Sequence, residues 1–349
     1  MQSSSVSIPI IDIHRHIAHP ALMTSLASIP REVFIEHLPA QRNAQNDTKN
    51  IQTSEFSDID VQVQKQDQAG VTKGVLSNPF PLADLKPHVG GVAHDIAAIL
   101  NDDLATVVTK HPRKLDFLAT VHPFEPGFAE EADRSLTQLG AKGLTLTTSY
   151  ADRWLDDPTL DPFWEYAQAR DVALFLHPPI TPAWLPLSDI YPMQEMLYRP
   201  FDVMTSTTRM IFSGLFDRYP RLKIVLPFAG AGIMNLLGRL DYSYQTSSIA
   251  LPTKNTAMPQ RLPSTYMGTN IYVELGLSFS PTTVQQALKI FGSDHVLFGT
   301  DYPAVAAIEE QIAIVKQLDL SPTELEQILW KNSNDLFHLD VQSSAPSPR

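Results

Sequence analysis

Three histidines and one aspartate could build a metal centre in this chain, which has no cysteine. His14 and His16 stand one residue apart at the end of an apolar run, 8–13. Side chains at i and i+2 of a strand point to the same side, so both imidazoles can enter one pocket. Arg15 between them would turn away, toward a helical layer or the first loop. His177 closes a second run, 172–176, and Asp301 follows a third in Gly299-Thr300-Asp301-Tyr302-Pro303. Three neutral imidazoles and a carboxylate form a donor set that suits one divalent metal, zinc first and manganese or iron next. Such a metal polarises a carboxyl or carbonyl oxygen, and Asp301 can also carry a proton. Each residue has a plainer use when taken alone: His177 as a core histidine bonded to backbone, Asp301 as a helix cap.

For these side chains to meet, the runs that carry them must lie in parallel and end on one face. Short apolar runs at 8–13, 73–76, 115–121, 143–146, 172–176, 223–228, 270–275 and 296–299 alternate with helical stretches. The helical stretches are 58–69, 92–109, 127–139, 162–170, 203–219, 233–244, 282–291 and 305–318. Strands alternating with helices imply parallel βαβ units, and this number of them implies a closed α/β fold, a (β/α)8 TIM-like barrel. An open doubly wound sheet would want a glycine-rich turn after the first strand, and Asp12-Ile13-His14-Arg15-His16 is not one. The expected organisation is a single barrel over 1–340 and a Ser/Pro-rich, disordered tail at 341–349. Long loops at 18–57 and 178–201 leave the ends of their strands where barrel active sites are built, and 251–269 is a third long connection. Trp184, Tyr191 and Tyr198 make the second of these an aromatic lid candidate. Ser321, Pro322 and Glu324 read as the capped start of a closing helix, 321–337.

Composition narrows the partners. The chain has 349 residues, a net charge of −12, 43% hydrophobic and 18% charged residues. That acidity argues against a nucleic-acid partner, which requires a basic face. No run approaches the roughly 18 apolar residues of a membrane span, and no signal peptide is evident. A cytoplasmic protein acting on a small molecule is expected.

The motifs also carry a family likeness. Ile11-Asp12-Ile13-His14-Arg15-His16, Phe175-Leu176-His177-Pro178, Leu297-Phe298-Gly299-Thr300-Asp301-Tyr302-Pro303 and Asn332…Leu336-Phe337 together resemble the amidohydrolase-2 group of the amidohydrolase superfamily. Aminocarboxymuconate-semialdehyde decarboxylase and 6-methylsalicylate decarboxylase-like proteins belong to that group. The resemblance runs from about residue 10 to 337 and implies a barrel of the metal-dependent hydrolase type. It also implies a metal held by His14, His16, His177 and Asp301, with Asp301 catalytic. Arg239, in Leu237-Gly238-Arg239-Leu240, matches a family arginine that binds a substrate carboxylate in a neighbouring subunit, which implies a homodimer.

One position departs from the pattern. Phe228 stands where the family has a histidine at the end of the sixth strand, and phenylalanine can only shape or dry a pocket. His122, just past the third strand, is the best-placed substitute or supporting residue, with His19 weaker. Glu274 is a supporting residue at most, facing either the pocket or the helices. Trp184 joins Phe228 as a substrate-contacting candidate. Arg15, Arg42 and Arg199 are further candidates for a carboxylate clamp. The leading expectation is a metal-dependent decarboxylase, a carbon–carbon lyase acting on an aromatic or unsaturated carboxylic acid. The alternatives are a metal-dependent hydrolase of an amide or lactone, and a degenerate barrel that only binds a small acid.

Overall fold

The computed structural model describes residues 8–18, 20–34, 54–78, 80–83, 85, 91–180, 182, 184, 191–246 and 258–342. His19, Arg42, most of the first long loop, part of 178–201 and the end of the tail fall outside the described residues.

The strands are β1 (Ile11–Arg15), β2 (Lys73–Leu76), β3 (Leu115–Phe117), β4 (Ala119–Thr120), β5 (Leu144–Thr147), β6 (Ser149–Tyr150), β7 (Arg153–Trp154), β8 (Ala173–His177), β9 (Lys223–Leu226), β10 (Ile271–Glu274) and β11 (Val296–Leu297). β1, β2 and β3 form one parallel sheet, and β11-β10-β9-β8-β5-β4 form another. β3 and β4 are halves of one run that changes partners at Leu118. The Leu118 N–H donates to Leu76 on one side, and the next N–H, that of Ala119, donates to Gly143 on the other. At the opposite seam Ile13 donates to Phe298 and His16 to Tyr302. The two sheets therefore close into an eight-stranded barrel, as the alternating runs predict. The antiparallel pair β6–β7 is an addition the sequence pattern did not suggest.

Both faces of each strand are buried, which is why they read as continuous apolar runs. Leu76, Phe117, Leu146, Leu174 and Ile224 face the helices, whereas Ile11, Val75, Phe175, Val225 and Leu297 fill the interior. The barrel floor is sealed by the C-terminal helical run: Trp330, Leu336, Phe337 and Leu339 join that interior cluster. This run starts with the expected capping box, Ser321 accepting from the Glu324 N–H while the Glu324 side chain accepts from the Ser321 N–H.

Helix boundaries shift where local chemistry overrides periodicity. Ile59–Ala69 starts at Asp58, whose carboxylate accepts from the Asp60 N–H, and stops at Gly70 with φ 77°. The helix expected over 203–219 begins earlier, as Arg199–Phe212, and breaks at Gly214, φ 70°, before Leu215–Arg218. No helix among the described residues is long and apolar enough to cross a membrane.

Candidate metal centre

β1 delivers its two histidines through an irregularity. Its register with β2 shifts between Asp12 and Arg15, so the strict alternation is broken there. Ile13 stays in the interior cluster, and His14 also turns inward, its ring 4.9 Å from that of Phe175. Arg15 turns outward to the helical layer, donating to Gln66 Oε1 at 2.9 Å and lying 4.8 Å from the Tyr302 ring. That fulfils the expectation that it points away, and it removes Arg15 as a carboxylate clamp: a fully buried guanidinium engaged in the helix layer cannot serve the mouth. Asp12 braces the neighbouring strand end, accepting from the Thr300 N–H at 3.0 Å and the Thr300 hydroxyl at 2.7 Å. Burial raises its carboxyl to about 6.

His14, His16 and His177 converge in a nearly equilateral triangle, with ring centroids 5.1, 5.1 and 5.0 Å apart. Each ring is oriented by its Nδ1. His14 Nδ1 donates to Glu274 Oε1 at 2.9 Å, His16 Nδ1 to the Ser77 carbonyl at 2.8 Å, and His177 Nδ1 to the Pro178 carbonyl at 2.8 Å. With the proton on Nδ1, the three Nε2 atoms are turned toward a common centre, where Arg199 Nη2 also reaches His177 Nε2 at 3.4 Å. Asp301 Oδ1 lies 3.4 Å from His14 Nε2 and 3.2 Å from His16 Nε2. Both separations are short enough for one ion to contact the two atoms at once. One ligand atom from each of the four residues lies within 4.8 Å of all the others, and all four residues are buried. His14 Nε2 is buried with no hydrogen-bond partner, a costly arrangement that a metal ion would relieve. The residues present fit a divalent ion.

The electrostatics agree. Burial pushes the imidazoles toward neutrality: His177 falls well below its ordinary range, helped by His16 and Arg199, and His16 is lowered too. Burial would lower His14 as well, but Glu274 and Asp301 outweigh it and raise this one. Asp301 resists its own burial, because His14, His16 and Arg199 hold its carboxyl down at about 2. It is therefore ionised across the neutral range.

Glu274 faces the pocket side rather than the helices. It accepts from His14 Nδ1 and from the Phe228 backbone N–H through the same oxygen, both at 2.9 Å, and from the Gly276 N–H at 2.5 Å. Gly299 makes room for this packing, since a Cβ there would meet His14 Cβ at 2.9 Å. Phe228 borders the centre, its ring 5.8 Å from His14 and 6.3 Å from His177. It opens a run of positive φ values: 57° at Phe228, 48° at Ala229, 75° at Gly230, 52° at Ala231 and 93° at Gly232.

The other sequence candidates lie farther out. His122 contacts the rings of Tyr150 and Phe124, at 4.7 and 5.9 Å, and burial lowers it to about 4, with Arg153 adding to the shift. None of the four candidate ligands is among its ring contacts. Trp184 donates from Nε1 to the buried Asp202 at 2.5 Å and lines a groove of about 770 Å³ with Phe201, Met204, Leu236 and Leu240. Arg239 is exposed on the helix Leu237–Gln245, whose Leu240 lines that groove. Arg199 instead comes to the centre: its Nη2 is 3.4 Å from His177 Nε2. The wide spacing between residues 177 and 199 hid this neighbour among several arginines.

The chain is similar to known proteins over most of its length. The amidohydrolase family model matches residues 11–339. The gamma-resorcylate decarboxylase of Polaromonas sp. (strain JS666) is 30% identical over 80% of this chain and 87% of its own length. The 5-carboxyvanillate decarboxylase of Sphingomonas paucimobilis superposes with a TM-score of 0.83 at 24% identity, covering 95% of this chain and 99% of that one. A dihydroxybenzoic acid decarboxylase from Polaromonas sp. JS666, crystallised with bound manganese and 2-nitroresorcinol, superposes with a TM-score of 0.74 at 25% identity, over 96% of this chain and 98% of that one.

Proposed function

The chain belongs to the amidohydrolase family, and from that premise we propose that it is a metal-dependent decarboxylase of a hydroxylated aromatic carboxylic acid. The observation that carries this is the convergence of three Nδ1-protonated imidazoles and one ionised carboxylate, in a chain whose relatives are decarboxylases. In this reading His14, His16, His177 and Asp301 hold one divalent ion, with zinc the first choice for the donor set and manganese next. When bound, the metal supplies Lewis-acid stabilisation of the substrate's oxygens.

The protein's own groups do the rest. Asp301, ionised at neutral pH, takes the proton of a substrate hydroxyl beside the carboxylate. It then delivers that proton to the ring carbon bearing the carboxylate; the carbon–carbon bond breaks, its electron pair returns to the ring, and carbon dioxide leaves. Glu274 keeps His14 in the ligand tautomer. Phe228 and Trp184 supply apolar walls, and His122 stays neutral behind the pocket. Residues 1–340 act as one barrel unit, and the apolar groove carries a second copy of the chain so that Arg239 serves the neighbouring subunit's substrate. The setting is cytoplasmic.

Phe228 favours a second reading, a barrel that binds such an acid without turnover. One experiment separates the two: load the protein with zinc or manganese, confirm about one equivalent per chain, and assay hydroxybenzoic acids for carbon dioxide release. Release that disappears in Asp301→Asn supports the decarboxylase. Metal and acid binding without release supports the binder, and a protein that takes up no metal sinks both.

A further inference from the structure

We propose that Arg199 grips the substrate's carboxylate from within the same chain, through the edge of its guanidinium formed by Nε and Nη2. This rests on the reading of the centre as a site for an aromatic acid and names the residue that selects acids over neutral analogues.

The guanidinium is engaged by Glu195 through Nη1 and by His177 through Nη2, and its Nε is unmatched. Nη1 donates to Glu195 Oε2 at 2.6 Å, and Glu195 is largely exposed while Arg199 is only 9% exposed. Nε is buried with no hydrogen-bond partner. Nη2 contacts His177 Nε2 at 3.4 Å; a metal held by that nitrogen would take its lone pair and turn this donor over to a ligand of the site. Nε and Nη2 lie on one edge of the planar group and present parallel N–H bonds, the geometry that matches a carboxylate. The same guanidinium lies 6.0 Å from the centre of the Phe228 ring. An ion pair with Glu195 alone would not require a buried Nε turned from water.

The placement is built rather than incidental. Arg199 and Asp202 lie three residues apart on one face of the helix Arg199–Phe212. Asp202 is fully buried and accepts from the hydroxyls of Thr148 and Ser149 and from Trp184 Nε1. The Thr148 N–H in turn donates to the His177 carbonyl at 2.9 Å. The first turn of this helix is thereby tied to the strand end that carries His177, which sets the arginine beside it. A lysine here would bring a point charge without the fork.

The test is calorimetric binding of 2-hydroxybenzoate and of phenol, a pair differing by the carboxylate, to zinc-loaded wild type, Arg199→Met and Arg199→Lys. Wild type is expected to prefer the acid. Arg199→Met should weaken the acid about 100-fold and leave phenol within about twofold, with metal content unchanged. Arg199→Lys, which also covers a failure of the methionine variant to fold, should recover part of the loss. Equal weakening of both ligands, no weakening of the acid, or loss of metal would overturn the proposal. The readout is binding, so a protein that never releases carbon dioxide would fail the decarboxylase reading while leaving this one standing.

Discussion

At the end of β1, His14 donates from Nδ1 to Glu274 Oε1; at the end of β9, Phe228 donates its backbone N–H to that same oxygen. The two strand ends share an anchor and differ in what they present, an imidazole aimed at the centre and a phenyl ring at its border. The carboxylate is doing two jobs, fixing a ligand's tautomer and fixing a loop's path. Only the first depends on the side chain. The anchor at β9 is a backbone N–H, so residues other than phenylalanine that keep it can make the same bond to Glu274.

The largest break in that comparison comes from the ligand side. His14→Ala or Asp301→Ala should abolish stoichiometric metal binding, measured by elemental analysis, and cut any carbon dioxide release by at least about 10³-fold. Next comes the shared anchor. Glu274→Gln should lower metal affinity by about 10- to 100-fold, read by competition with a chromogenic chelator. If affinity held and only thermal stability fell, the carboxylate would matter to the loop alone. Phe228→His should leave metal content intact and alter turnover by less than about 10-fold, adding a pH dependence near the ordinary histidine range, about 6.5. A large rise in activity would instead show that the missing imidazole is what the site lacks.

His122 offers the effect most separable from the centre. Its folded value of about 4 lies below the unfolded one, so the unfolded chain binds the extra proton between about 4 and 6.5. Its contribution is present above that window and is lost as pH falls through it, by about 3–4 kcal/mol at most. His122→Gln should flatten denaturant stability over that range without changing metal content. An unchanged acid slope would assign the effect to other groups.

Much of this was legible in the sequence because strands buried on both faces leave continuous apolar runs, and because the candidate ligands sit at their ends. All eight runs became barrel strands or parts of them. The irregularity between Asp12 and Arg15 was not legible: i, i+2 alternation brings His14 and His16 together, but it would not keep Ile13 inside as well. Glu274 alternates with Tyr272, and sequence gives no way to tell which face of β10 looks inward. Arg199 lies beyond a long connection, and its place depends on the buried contacts of Asp202 with Thr148, Ser149 and Trp184. Those are tertiary pairings with no short-range signal.

The barrel floor carries a consequence for how the chain is made. Ile11 and Ile13 share an interior cluster with Leu336, Phe337 and Leu339, so the first strand and the last helical turns are mutual neighbours across nearly the whole described length. A chain emerging residue by residue can wind its early βαβ units, but their inner faces have no floor to rest on until residues near 339 appear. Contacts between such distant parts of a chain form late and slowly. The nascent cylinder is thus an unsealed vessel with its apolar lining exposed during synthesis, and the closing helix finishes it.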